Sequence, residues 1–163
     1  MNPPSTPPTH ARFPHVKQQA GHYESFYLKA CHPDGGLGVW IRYTVHKSPN
    51  QAPKGFIWFT LFDAAAGVRA SKVEFATPET GAGDYIRFGD HRFAPGRIEG
   101  RADSQQLDAS WQLSFAGSEP PLWHLPAGFM YNAPFPRTKV LSPHPNVVFQ
   151  GQIDAAEIGR AHV

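Results

Sequence analysis

Strict two-residue alternation is the feature that most limits what this chain can become. Over residues 39–46, Val39, Ile41, Tyr43 and Val45 interleave with Trp40, Arg42, Thr44 and His46. Over 107–115, Leu107, Ala109, Trp111, Leu113 and Phe115 interleave with Asp108, Ser110, Gln112 and Ser114. A period of two places each set on one face of a β-strand, whereas helical spacing would scatter the apolar residues around a cylinder. Residues 21–47 read as one long hairpin, with Phe26, Leu28 and Ala30 continuing the pattern in its first arm and His32-Pro33-Asp34-Gly35-Gly36 supplying the turn. In that turn proline presets φ, aspartate can accept a hydrogen bond from the backbone ahead of it, and the glycines permit positive φ. An isolated hairpin is marginal in water, so more sheet must lie against it.

The remaining sequence supplies that sheet. Residues 56–63 (FIWFTLFD) send Phe56, Trp58 and Phe62 one way and Ile57, Phe59 and Leu61 the other. A strand apolar on both faces is expected in the interior, covered on each side by another layer or by a ligand cavity. Further strands are expected over 68–75, 84–88, 91–93, 97–103, 107–115 and 146–154. Together 17 prolines and 15 glycines break the chain too often for long helices. Residues 1–19, with Pro3, Pro4, Pro7, Pro8 and Pro14, read as an extended or disordered leader. Residues 117–145 read as an irregular crossover, because each proline lacks the donor a central strand needs. Its Trp123, Leu125, Phe129, Tyr131 and Phe135 are expected to pack over a sheet edge or the mouth of a barrel. The result is one all-β, antiparallel domain over 20–154, either barrel or sandwich.

Charge and motif spacing narrow the function classes. A net charge of +2 without a run of like charges argues against a nucleic-acid partner. No stretch reaches membrane-spanning length and the N-terminus has no apolar signal core, so cytoplasmic residence is expected. The lone Cys31 cannot close an internal disulfide and reads as a small buried hydrophobe. His22, His32, His46, His91, His124 and His144 fall in separate segments without ligand spacing, so no metal is expected. Gly35-Gly36 and Gly81-Ala82-Gly83 precede no helix, and no G-x-S-x-G elbow occurs. Neither a nucleotide nor another cofactor is expected.

Three stretches carry a family resemblance. HYESFYLKACHPDGGLGVWIRYTVHK, GFIWFTLFD and APFPRTKVLSPHP resemble the N-terminal half of the carotenoid 1,2-hydratase (hydroxyneurosporene synthase) and AttH-type lipocalin-like superfamily, of which tocopherol cyclase is a more distant relative. The likeness runs from about Gly21 to Ile153, and WIRYT carries most of it. It implies a lipocalin-like barrel or strongly curved β-sandwich, the first of two such domains, with a C-terminal lipocalin-like half as its missing partner. EIGRAHV, at 157–163, is similar to the translation of a common sequencing-library adapter. Residues 155–163 are therefore expected to be an artefactual tail on a truncated reading frame, the other reading being a short charged tail after the last strand.

The resemblance also implies a function, namely binding or transforming an apolar, isoprenoid or polyketide-like small molecule. The reaction would be acid-catalysed hydration, by a hydro-lyase, or cyclisation, by an isomerase. A carboxylic acid whose pKa is raised by apolar burial would protonate a double bond while aromatic faces stabilise the cation. Glu24 and Asp63 are the candidate acids, with Arg42 the simplest partner for Glu24 across the hairpin, a pair that can equally be structural. Trp40, Trp58, Arg42 and Tyr43 are the candidate ligand contacts, with Arg42 and Trp40 read as inward. Together with Tyr27, Phe59 and Trp111 the aromatic members either line a cavity or form ordinary core. The fragment alone is expected to be inactive, with an exposed contact face prone to association. Two non-catalytic readings stand beside this one. The first is a module that sequesters an apolar ligand; the second is a carbohydrate-binding β-sandwich with Trp40 or Trp123 accessible in a shallow groove.

Overall fold

The computed structural model describes residues 8–81 and 83–157. The strands are β1 (His22–Cys31), β2 (Leu37–Lys47), β3 (Lys54–Asp63), β4 (Gly67–Phe75), β5 (Ile86–Phe88), β6 (His91–Ala94), β7 (Arg97–Asp103), β8 (Leu107–Ala116), β9 (Leu122–Trp123), β10 (Leu141–Ser142) and β11 (Val148–Glu157). They make three antiparallel sheets, in the orders β1-β2-β3-β4, β11-β8-β7-β6-β5 and β10-β9. The first is a plain meander in which each connection is a short turn. In the second, β11 returns after the long crossover to pair with β8 along its whole length.

The two larger sheets pack face to face, because each carries one apolar set from its period-two pattern. Ile41, Tyr43, Val45, Ile57 and Phe59 from the first meet Ile86, Phe88, Ile98, Leu107, Ala109 and Trp111 from the second, all buried. Rings interlock across the interface. Tyr43 stacks on Phe88 at 5.6 Å, Phe59 on Trp111 at 5.4 Å and Phe75 on Phe88 at 5.4 Å between centroids. The Tyr43 hydroxyl donates to the Glu99 carbonyl at 2.8 Å, so its polar end is satisfied inside the core. Two glycines permit this closeness. A Cβ on Gly55 would stand 2.6 Å from Phe88, and one on Gly100 would run into Tyr43 and Trp111.

The segment expected as a loose leader is packed from residue 8 onward. Ala11 and Phe13 are buried in the core, and a single 3₁₀ turn, Phe13–His15, sets their direction. The Arg12 guanidinium donates to the Tyr131 carbonyl at 2.7 Å and ties this segment to the crossover. Residues 1–7 lie outside the described residues. The tail expected over 155–163 divides in the same way: Ala155, Ala156 and Glu157 still pair with β8, and 158–163 lie outside the described residues.

The expected lipocalin-like barrel or strongly curved β-sandwich is not what the chain forms. The sheets are small, and among the described residues no strand pair joins one to another and none closes. The break falls where β4 would hand on to β5. After Phe75 the chain passes Pro78, Gly81 and Gly83, the last at φ 86°, and the isolated bridge between Glu79 and Arg87 stands in place of a continued ladder. At the other end, among the described residues, β11 pairs with β8 alone and β1 with β2 alone, so the two edge strands do not join. Among the described residues no helix is long and apolar enough to cross a membrane.

Candidate ligand-binding face

The two large sheets differ sharply in what they show to solvent. On the second sheet the outer face is polar: Arg101 makes a two-pronged contact with Asp108 at 2.9 and 2.6 Å, Arg97 pairs with Glu99 at 2.7 Å, and Ser110, Gln112, Ser114 and Gln152 surround them. An open cleft there is lined by Arg101, Asp108, Ser110 and Asp154, whose basic group is already matched by acid. The outer face of the first sheet is aromatic. Tyr23 is 53% exposed, Tyr27 48%, Trp58 38% and Phe62 43%, with Trp40 and Phe56 partly exposed among them.

Strand register assembles this face into rows. Tyr27 lies opposite Arg42, Arg42 opposite Trp58, and Trp58 opposite Lys72. One step along the strands, Lys29, Trp40, Thr60 and Ala70 form a second row; one step the other way, Ser25, Thr44, Phe56 and Glu74 form a third. Cations sit on the rings. The Lys72 ammonium is 4.4 Å from the Trp58 centroid and 4.5 Å from that of Phe56. Lys29 is 5.3 Å from Trp40, and the Arg42 guanidinium is 5.7 Å from both Trp40 and Tyr23. Such contacts orient the cations and are worth about 0.5–1 kcal/mol each when exposed. Arg42 is held further by donating from Nε to Ser25 Oγ at 2.8 Å and from its terminal nitrogen to the Tyr23 hydroxyl. Trp58 Nε1 donates to Thr44 Oγ1 at 3.4 Å, while the buried Trp40 Nε1 has no partner among the described residues.

Of the candidate contacts, Trp40, Trp58 and Arg42 are brought together here, on the outside of the sheet and not facing inward. Tyr43, one residue beyond Arg42, necessarily points the other way. It lies in the core, where burial pushes its hydroxyl far above the usual phenol range. The aromatic stripe splits likewise, with Tyr27 outside and Phe59 and Trp111 inside.

The candidate acids stand apart from this face and from each other. Glu24 does not pair with Arg42. Its carboxylate accepts the backbone N–H groups of Arg12 and Phe13 at 2.7 and 2.8 Å, with His22 at 3.4 Å. Asp63 closes the turn into β4. Its carboxylate accepts from the N–H groups of Ala65 and Ala66 at 2.9 and 3.0 Å and meets Arg69 at 3.2 Å. Those backbone donors, helped by Arg69, hold its carboxyl below the usual range, opposite to what a proton donor to a double bond requires.

Sequence reasoning missed Lys72, Lys29, Phe56 and Tyr23. For Lys72 the signal was present in the alternation of Val68, Ala70, Lys72 and Glu74 on β4, and for the others in the alternation of β1 and β3, but only the register shows that these sets share the face of Trp58. No family model matches the chain, and no curated protein or solved structure matches it. The outer face itself is therefore the ground on which a function is assigned.

Proposed function

We propose that the protein is a binding module that takes up an apolar small molecule, isoprenoid or polyketide-like, on the outer face of β1–β4. Trp40, Trp58 and Tyr27 supply the contact area and Arg42 its polar margin. The observation that carries the reading is the contrast between the two outer faces: contiguous exposed rings on one, ion pairs and amides on the other. A surface site also accords with the interior, where Tyr43, Phe59 and Phe88 fill the space between the sheets with stacked rings. Binding is favoured over hydration or cyclisation because Glu24 and Asp63 are both engaged by backbone donors. It is favoured over carbohydrate recognition because that reading needs Trp40 or Trp123 open in a shallow groove, and each is only partly exposed.

All-trans-retinol, an isoprenoid alcohol that quenches tryptophan fluorescence, is a direct probe. Saturable quenching is expected, weakened about tenfold by Trp58→Ala, a loss of about 1.4 kcal/mol. Quenching that does not saturate, or that is unchanged in Trp58→Ala, would refute the site.

A further inference from the structure

We infer, resting on the proposed site above, that the preferred ligand is an acid: an apolar body ending in a carboxylate that Lys72 and Arg42 receive on either side of Trp58. Arg42, Trp58 and Lys72 are direct cross-strand neighbours on adjacent strands. Adjacent strands lie about 4.8 Å apart, so the two cationic side chains are rooted roughly 10 Å apart on the strands either side of Trp58, with the Lys72 ammonium over the indole and the Arg42 guanidinium beside Trp40 and Tyr23. A carboxylate lying on or beside the ring is within reach of one or both long side chains.

Charge balance on this face points the same way. Cations on a sheet surface are ordinarily offset by acids across the strands, and the second sheet does this with Arg97 and Glu99 and with Arg101 and Asp108. On the first sheet Lys54 is paired with Glu74 at 2.6 Å, whereas Lys29, Arg42 and Lys72 have no carboxylate partner among the described residues. The face thus carries a net three positive charges with His46 neutral, more than the +2 of the whole chain. Ring contacts fix where the ammonium and guanidinium groups sit, yet a ring offers no anion, and Lys72 retains hydrogen-bond donors for one. Aromatic surface beside oriented, unneutralised cations is complementary to a molecule both apolar and anionic.

The test compares all-trans-retinoic acid with all-trans-retinol, which share an apolar body and differ in the terminal group. Binding of each to the full chain is measured by tryptophan quenching at low salt and in 1 M NaCl, and the oligomeric state by sedimentation velocity. The acid is expected to bind about tenfold more tightly at low salt, with the advantage shrinking in high salt as exposed charges are screened. Lys72→Met and, independently, Arg42→Gln are each expected to remove most of that advantage, weakening the acid several-fold more than the alcohol. Equal affinity for acid and alcohol would overturn the inference and leave the binding site standing. Failure of both probes to bind would remove the site itself. A dimer that Trp58→Ala converts to monomer would make the face an interface between copies of this chain and overturn the inference.

Discussion

Glu24, which looks chemical in the sequence, turns out to hold a segment in place, and Lys47 works on the same segment. It ends β2 buried, and its ammonium donates to the carbonyls of Lys17, Gln18 and Ala20 at 3.1, 2.9 and 2.8 Å. An ammonium has three donors, and all three are used on one backbone turn. Glu24 does the complementary work from β1, accepting two N–H groups of the same N-terminal segment. Lys47→Met would keep the stem packed but take the ammonium from three carbonyls, of which those of Lys17 and Gln18 still accept from the Ala20 and Asn50 N–H groups. Hydrogen bonds to charged groups are worth about 1.5–3 kcal/mol, so a destabilisation of about 1.5–3 kcal/mol is expected in urea unfolding. Amide exchange should quicken in residues 17–24 before it does in β7 or β8. An unchanged urea midpoint would show that water replaces the ammonium at no cost.

At the level of one element, β3 states the division of labour in ten residues. Phe59 is fully buried and stacked on Trp111, whereas its neighbour Trp58 faces solvent under Lys72. Phe59→Ala is expected to cost about 3–5 kcal/mol, the range for deleting a buried ring. Trp58→Ala is expected to cost under about 1 kcal/mol, and equal losses on the two faces in denaturant titrations would contradict the outward assignment. This strand also shows where sequence reading stops. Period two located its ends closely and separated its two faces, because side-chain direction is a local property of extended backbone. Which face meets another layer is not local. Both looked apolar enough to be covered, and the covered one is settled only by the partner residues Phe88, Ile98 and Trp111 from far along the chain. Phe13 was hidden for a different reason, since prolines around a single aromatic read as leader whether or not a core receives the ring. The barrel was inferred from resemblance, and closure depends on edge pairings that no single strand encodes.

Across the whole molecule the two sheets meet without sharing a strand, so side chains at their seam set how the halves respond together. His91 is one of these. It opens β6, its Nδ1 accepts the Arg101 backbone N–H of β7 at 3.0 Å, and its ring stands edge-on to Phe75 of β4 at 4.9 Å. Burial against the other sheet lowers its pKa from the ordinary 6.5, with the neighbouring Asp90 opposing in part. The sign follows from proton counting. Below pH 6.5 the unfolded chain protonates this imidazole while the folded one resists, so the unfolded state binds more protons and stability falls as pH drops, until the folded pKa is reached. Protonation also replaces the Nδ1 acceptor by a donor facing the Arg101 N–H. Asp63, lowered from its ordinary 3.8, adds a separate loss that begins as pH falls toward that value. Urea midpoints measured from pH 7 to pH 5 are therefore expected to decline in the parent chain. They should decline less in His91→Asn, which keeps an acceptor near the same position and does not titrate. Identical slopes would mean that the ring swings out to solvent when charged, and the joint between the sheets would then be looser than its packed aromatics indicate.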